Sequence, residues 1–260
     1  MDLKLQGRSA LITGASRGIG LAIARALGAE GCNLHLTARN ESLLNEAARE
    51  IRAAHGVEVC VHPKDLTQSS DIEALGRACL DVDILVNNAG DIPTGTLQQL
   101  DGAAWRRGWE LKVFGYIDLT RIILPHMYAR RSGVVINVNG GAGEVPNSNY
   151  IAGCVGNAAL NMFSFVLGGE SVQHGVRVVA VNPGATMTDR HKSHLIERAE
   201  RRFGDGARWP ELMADYPSGR SGTAEEVAHA VAFLASDLAS NISGTALRID
   251  GGIWAAQRKH

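Results

Sequence analysis

The stretch Thr13-Gly14-Ala15-Ser16-Arg17-Gly18-Ile19-Gly20 constrains this chain more than any other. An apolar run, Ser9-Ala10-Leu11-Ile12, precedes it, and apolar residues at helical spacing follow it, Ile19, Ile23, Ala26 and Leu27. The order is strand, glycine turn, helix. Gly14 and Gly18 allow a tight turn and close approach of backbone to a phosphate, while Gly20 lets the helix pack closely on the strand. The helix start then offers free N–H groups and the positive end of a dipole to a pyrophosphate. A glycine spacing alone is weak in a chain with 30 glycines among 260 residues. The flanking strand and helix make it specific.

Alternating strand and helix patterns run from end to end, so residues 1–260 are expected to form a single α/β domain. A net charge of −1 gives no reason to expect nucleic acid or an anionic membrane as a partner. Cys32, Cys60, Cys79 and Cys154 lack the close spacing of a metal site and read as thiols in a reducing, cytoplasmic setting; no metal is expected. Residues 1–7 carry no apolar signal core, and no uninterrupted apolar run reaches about 18 residues, so no membrane span is expected.

The second strand, roughly Cys32 to Thr37, ends at Ala38-Arg39-Asn40. In a dinucleotide fold this strand end faces the adenosine ribose, where a carboxylate would bind the 2′-OH of NAD. Here Arg39 stands near the strand end and Arg17 in the glycine loop, with no acid. Two cations favour the 2′-phosphate of NADP(H); two solvated surface arginines are the plain alternative. A helix over Glu41–Ala54, a strand over Val57–His62, a helix over Asp71–Cys79 and a strand over Asp83–Val86 follow.

With Asp65-Leu66, Asn87-Asn88-Ala89-Gly90, Asn182-Pro183-Gly184 and Asp250-Gly251-Gly252 added to the glycine loop, the chain resembles the short-chain dehydrogenase/reductase family over nearly its whole length. The resemblance implies a Rossmann-type, doubly wound, mostly parallel seven-stranded sheet with helices on both faces. It implies NAD(P) over the carboxyl ends of the strands and a homo-oligomer, a tetramer or a dimer. By that resemblance Gly14, Ser16, Arg17, Gly18, Ile19 and Gly20 cradle the pyrophosphate, and Asp65 and Leu66 touch adenine. Asn88, Ala89 and Gly90 wall the cofactor, and Pro183, Gly184, Thr186 and Thr188 hold its nicotinamide end. Residues 186–217 correspond to the lid over a small-molecule substrate; Trp209, Met213 and Tyr216 either line the pocket or pack the lid itself.

The family's catalytic tetrad is Asn, Ser, Tyr and Lys. At the matching positions this sequence has Lys112, Gly140, Gly153 and Asn157. Tyr150, three residues before Gly153, keeps with Asn157 the wider Tyr–Lys spacing of the enoyl reductases, a divergent branch of the superfamily, though the glycine loop is of the ordinary dehydrogenase type. The expected catalytic residues are therefore Tyr150 as proton or hydrogen-bond donor, Lys112 as a cation on the opposite wall and Asn157 on the nicotinamide ribose. The bland readings are a partly buried aromatic at a helix start for Tyr150 and a helix lysine reaching to solvent for Lys112. His191 and His194 are three apart, but with no third ligand a solvated helix face is the expectation. The activity expected is NADP(H)-dependent reduction of a carbonyl or conjugated enone. The alternative is a cofactor-binding protein without net redox activity, such as a lyase, a hydrolase or a silent partner.

Overall fold

A computed structural model of the chain describes residues 2–257. Seven strands form one sheet in the order β3-β2-β1-β4-β5-β6-β7, and each neighbouring pair is parallel. The strands are β1 (Ser9–Thr13), β2 (Asn33–Ala38), β3 (Val59–Pro63), β4 (Ile84–Asn87), β5 (Gly133–Val138), β6 (Val176–Pro183) and β7 (Ala246–Ile249). The helices are α1 (Gly18–Ala29), α2 (Glu41–His55), α3 (Ser69–Ala78), α4 (Gly102–Trp109), α5 (Gly115–Arg130), α6 (Ile151–Ser171), α7 (Asp189–Phe203), α8 (Ala224–Ala235) and α9 (Ile253–Gln257).

Side chains alternate across a strand, and the two faces of the sheet bury different sets. Ile12, Leu34, Leu36 and Val86 pack under α1, α2 and α8 against Ile23, Leu27, Leu44 and Val231. Leu11, Leu85, Val135 and Val178 pack under α3 and α5 against Leu75, Ile123 and Met127. Burying one such side chain is worth about 1.5–3 kcal/mol. All eight residues of β6 are buried, Arg177 and Asn182 among them, as in a strand covered on both faces.

Caps fix where the helices begin. Asn40 accepts a hydrogen bond from Leu43 N at the start of α2, and Gly56 closes that helix in the left-handed region at φ 69°. Thr223 and Glu226 form a reciprocal capping box at α8.

Two features depart from the expected pattern. First, α4 and α5 are joined by a π-helical turn, Glu110–Phe114, rather than running as one regular helix. Second, Ile151–His174 is long and apolar enough to cross a membrane by length and composition, with mean hydropathy 1.5. Its small and polar residues hide this from a search for uninterrupted apolar runs. In the fold, Leu160, Ser164 and Gly168 are buried, and Gly168 packs against the backbone of Val178 in β6 and of Gly244.

The strand order reverses between β1 and β4, which leave the sheet centre toward opposite edges. Open parallel sheets bind ligands in the crevice outside the carboxyl ends of the strands at such a point. Thr13 ends β1 there, Gly14 follows it, and Asn88 follows β4.

Candidate active site

The glycine turn is locked to the loop after β4. Thr13 Oγ1 accepts from Asn88 N at 2.8 Å and from Ala89 N at 2.9 Å, and Asn88 Nδ2 donates to Thr13 O at 2.9 Å. Gly14 has φ 68°, and a Cβ there would lie 3.0 Å from Ala89 Cα. At Gly20 a Cβ would lie 2.2 Å from Gly14 O, so only glycine lets α1 sit this close to the turn. The α1 start has no side-chain cap and no acid in its first turn, which leaves its N–H groups and dipole end free for an anion. Ser16 and Ile19 are half-buried beside it, and Thr188 Cγ2 lies 3.4 Å from where a Gly18 Cβ would be. The start of α7 is thereby brought to the lip of the glycine turn.

Arg17 and Arg39 are both exposed, and neither makes an ion pair among the described residues. Thr37 between them is buried and donates to His62 O at 2.8 Å, so the free polar groups at this strand end are the two guanidiniums.

Asp65 Oδ1 accepts from Thr67 N at 3.0 Å and Thr67 Oγ1 at 2.9 Å, a local turn that holds the carboxylate in place. Leu66 beside it is 5% exposed, and its side chain belongs to the core under α3. Across the sheet, Gly184 abuts Asp250, where a Cβ would approach within 2.7 Å, and Pro183 is buried at the end of β6. Thr186 is buried with its hydroxyl on Gly184 O at 3.2 Å, and Thr188 caps α7 by accepting from His191 N.

Lys112 lies in the π turn and is 7% exposed. Its ammonium donates to Val138 O at 2.7 Å, to Asn139 O at 3.1 Å and to Tyr116 Oη at 2.9 Å. The Tyr116 hydroxyl donates in turn to Val138 O at 3.1 Å. Burial, with a smaller contribution from Arg190, lowers the Lys112 amine to about 7. This is no lysine reaching to solvent. The missing side chain of Gly90 makes room for it, since a Cβ there would meet Lys112 Cδ at 2.6 Å.

Gly153 and Tyr150 share one space. A Cβ at Gly153 would lie 2.1 Å from Tyr150 Cζ and from Tyr150 Cε1. The Tyr150 ring therefore lies where the first atom of a side chain at 153 would be. Tyr150 is the residue preceding α6, tied by Gly95 N donating to Asn149 O at 2.7 Å. Its hydroxyl makes no hydrogen bond to another described residue. Burial raises its pKa and the Arg190 charge opposes that shift, so the phenol stays protonated at neutral pH. Gly153→Ala is expected to displace the ring and lower turnover at least tenfold with cofactor affinity unchanged. Stopped-flow hydride transfer alongside a fluorescence titration checks this, and full turnover in the variant would dissociate the ring's position from the chemistry.

Asn157 is 3% exposed, and its Nδ2 lies 3.0 Å from where a Gly140 Cβ would be. Its Oδ1 is buried without a hydrogen-bond partner among the described residues. An orphaned buried acceptor costs about 1–3 kcal/mol, and a hydroxyl donor at this spot would recover it.

Sequence reasoning missed Arg190. It donates to Ile92 O at 2.8 Å and pairs with Asp91 at 3.0 Å, latching α7 onto the loop after Gly90. Its charge also acts on both Lys112 and Tyr150. Nothing local in the sequence marks it among the several arginines of residues 186–217. Trp209 and Met213 pack against Leu195, Ala199 and Leu212 within that segment, which resolves their role toward internal packing. Glu144 accepts from Asn182 Nδ2 at 2.7 Å and from the Arg248 guanidinium, so its charge is already matched. His191 Nε2 is shared between Ser221 Oγ at 3.2 Å and Tyr216 Oη at 3.4 Å.

Comparison with known proteins agrees with this architecture. Residues 8–198 match the family model described as short chain dehydrogenase. The chain is 35% identical over 257 residues to nodulation protein G of Rhizobium meliloti (strain 1021), covering 96% of this chain and 98% of that one. It is 33% identical over 253 residues to the 3-oxoacyl-(acyl-carrier-protein) reductase of Escherichia coli (strain K12), covering 97% and 99%. Among solved structures it is similar to the L-sorbose reductase from Gluconobacter frateurii complexed with NADPH and L-sorbose, at 33% identity and TM-score 0.92 over 98% and 99% of the two chains. With the glycine turn, the switch-point crevice and the seven parallel strands all in place, the chain belongs to the short-chain dehydrogenase family.

Proposed function

We propose that the protein is an NADP(H)-dependent reductase of a small carbonyl or conjugated enone compound, with Tyr150 as proton donor. The observation that carries the reading is the Tyr150 ring in the space above Gly153, with a protonated hydroxyl that no other described residue engages. The residues suit the cofactor. Gly14, Gly18 and Gly20 with the uncapped α1 start accept a pyrophosphate, flanked by Ser16, Ile19, Asn88, Ala89 and Gly90. Asp65 takes adenine, and Pro183, Gly184, Thr186 and Thr188 border the nicotinamide end. Asn157 Oδ1 lacks the donor that a ribose hydroxyl would provide.

When bound, NADPH supplies the hydride. The chain's own residues then meet the charge that develops on the substrate oxygen. Tyr150 donates its proton to that oxygen. Lys112, held by two carbonyls, contributes positive charge from the other wall. Asn157 orients the ribose without charge, and burial outweighs the Arg190 charge at the phenol, so Tyr150 stays protonated and the reductive direction is favoured. Residues 186–217 form the lid, latched by Arg190, and the described residues, 2–257, make one domain. Val155, Met162 and Val166 are exposed on α6 and support assembly into a dimer or tetramer. The four free cysteines suit the cytoplasm.

Mixing the protein with NADPH and a panel of ketones, keto sugars and enones, and following nicotinamide absorbance, tests the activity. Tight NADPH binding with no turnover across the panel would favour the second reading, a cofactor-binding protein without net redox chemistry. Lys112, Gly140, Gly153 and Asn157 at the four tetrad positions are what keep that reading in play.

Cofactor choice is separately testable. NADPH is expected to bind at least tenfold tighter than NADH, about 1.4 kcal/mol, through Arg17 and Arg39. Arg39→Ala should weaken NADPH far more than NADH in a fluorescence titration; equal affinities in the unaltered protein would remove the assignment.

A further inference from the structure

A second group of reactive side chains lies on the sheet face covered by α3. In the parallel register His35 pairs with Cys60 and Thr37 with His62, so His35 on β2 and His62 on β3 project from the same face. Their rings stack at 5.2 Å between centroids with 19° between planes, and His35 Nδ1 lies 3.0 Å from His62 Nε2. Cys79, the residue that ends α3, places its Sγ 3.9 Å from the same His62 Nε2. All three donor atoms fall within 4.8 Å of one another.

A tetrahedral zinc ion has bonds of about 2.0–2.1 Å to imidazole nitrogen and about 2.3 Å to thiolate sulfur. Such bonds separate two nitrogens by about 3.3 Å and nitrogen from sulfur by about 3.5 Å. The distances of 3.0 and 3.9 Å bracket those values, so small ring rotations reach them. Two imidazoles this close cannot both be cationic, and each neutral ring offers one lone pair. A cleft of about 420 Å³ lined by His35, Cys79 and His126 gives entry. It also touches Ser9, Asp81 and Val82 at the amino-terminal end of the sheet, opposite the crevice over Gly14. Of the nearby cations, Lys64 is paired with Asp71, which leaves Arg77 at the cleft as the opposing charge.

We propose that His35, His62 and Cys79 form a binding site for a zinc-type divalent ion, clipping β2 and β3 to the end of α3, with solvent from the cleft in the fourth position. On binding, the Cys79 thiol proton leaves to solvent as the metal–sulfur bond forms. The proton shared between the rings moves to an outer ring nitrogen, so each imidazole keeps one N–H. The ordinary alternative is a histidine pair packed on a buried thiol, with no affinity for metal.

Cobalt(II) titration of the reduced, metal-free full chain separates the two. The expected result is one equivalent bound, with visible d–d bands and a sulfur-to-cobalt charge-transfer band, displaced by zinc. Cys79→Ser should abolish the charge-transfer band, and His62→Gln should weaken binding at least tenfold. His35→Gln, at the cleft side, should do the same and serves if either of the other variants fails to fold. NADPH affinity should be unchanged throughout, and zinc should raise the melting temperature of the unaltered protein but not of Cys79→Ser. Absence of the charge-transfer band, or its persistence in Cys79→Ser, would overturn the proposal.

Discussion

Replacing Tyr150 by Phe is expected to slow single-turnover hydride transfer by roughly 10²-fold or more, the usual scale for losing a positioned proton donor. The ring fills the space over Gly153 and only the hydroxyl is removed, so the fold should not change. NADPH affinity should stay within twofold, because the ring's neighbours are Gly153, Cys154 and Arg190 rather than the phosphate-binding turn. The double variant with Lys112→Met should lose less than the sum of the two single losses if the groups act as a unit. Hydride transfer at the unaltered rate in Tyr150→Phe would show that the proton comes from another group, and the reductase reading would lose its donor.

The second large effect concerns Lys112 and pH. An amine lowered from 10.5 to about 7 by burial binds fewer protons in the folded chain than in the unfolded chain between those values. Stability from this group therefore rises with pH across that window, and below about pH 7 the buried ammonium carries its full desolvation cost. Between pH 7 and 9 the expected gain is about 2 kcal/mol, at about 1.4 kcal/mol for each unit of pKa. Lys112→Met removes the titration. The stability advantage of the variant over the unaltered protein should thus shrink by about 2 kcal/mol from pH 7 to pH 9 in urea melts. Reduction by the unaltered enzyme should also fall as pH passes 7 and the ammonium is lost, and the variant, slower throughout, should lack that inflection. A stability difference that does not change with pH would place the ammonium in water and remove its electrostatic role.

Much of this fold was legible because its signals are local. The glycine turn between a strand and a helix lies within a few residues, and the parallel seven-stranded sheet followed from the resemblance it helps to carry. The glycine turn and the loop after β4 that border the switch-point crevice were readable for the same reason. The region of Tyr150 was readable only as a set of departures: the sequence shows that Gly153 and Tyr150 are three apart, but not that the ring of one occupies the side-chain space of the other. Whether Lys112 faced the site or reached to solvent stayed open in the sequence, because residues 109–115 carry no signal of a π turn. Arg190 meets Asp91 and Ile92 across about a hundred residues, and His35, His62 and Cys79 come from three elements, so no spacing rule links them.

The turn at Glu110–Phe114 carries one more implication. A π turn is an α-helix holding a single surplus residue, and each residue of a regular helix rotates the chain by about 100°. Deleting any one residue there would let α4 and α5 fuse into one uninterrupted rod. Everything on the α4 side would swing around the axis by that angle relative to α5, taking Trp109 Nε1 off Ala152 O, which it now meets at 3.0 Å. The wall holding Lys112 is thus specified by chain length as well as by side-chain chemistry. A survey of substitutions would pass over this determinant, whereas a scan of single-residue deletions would find it.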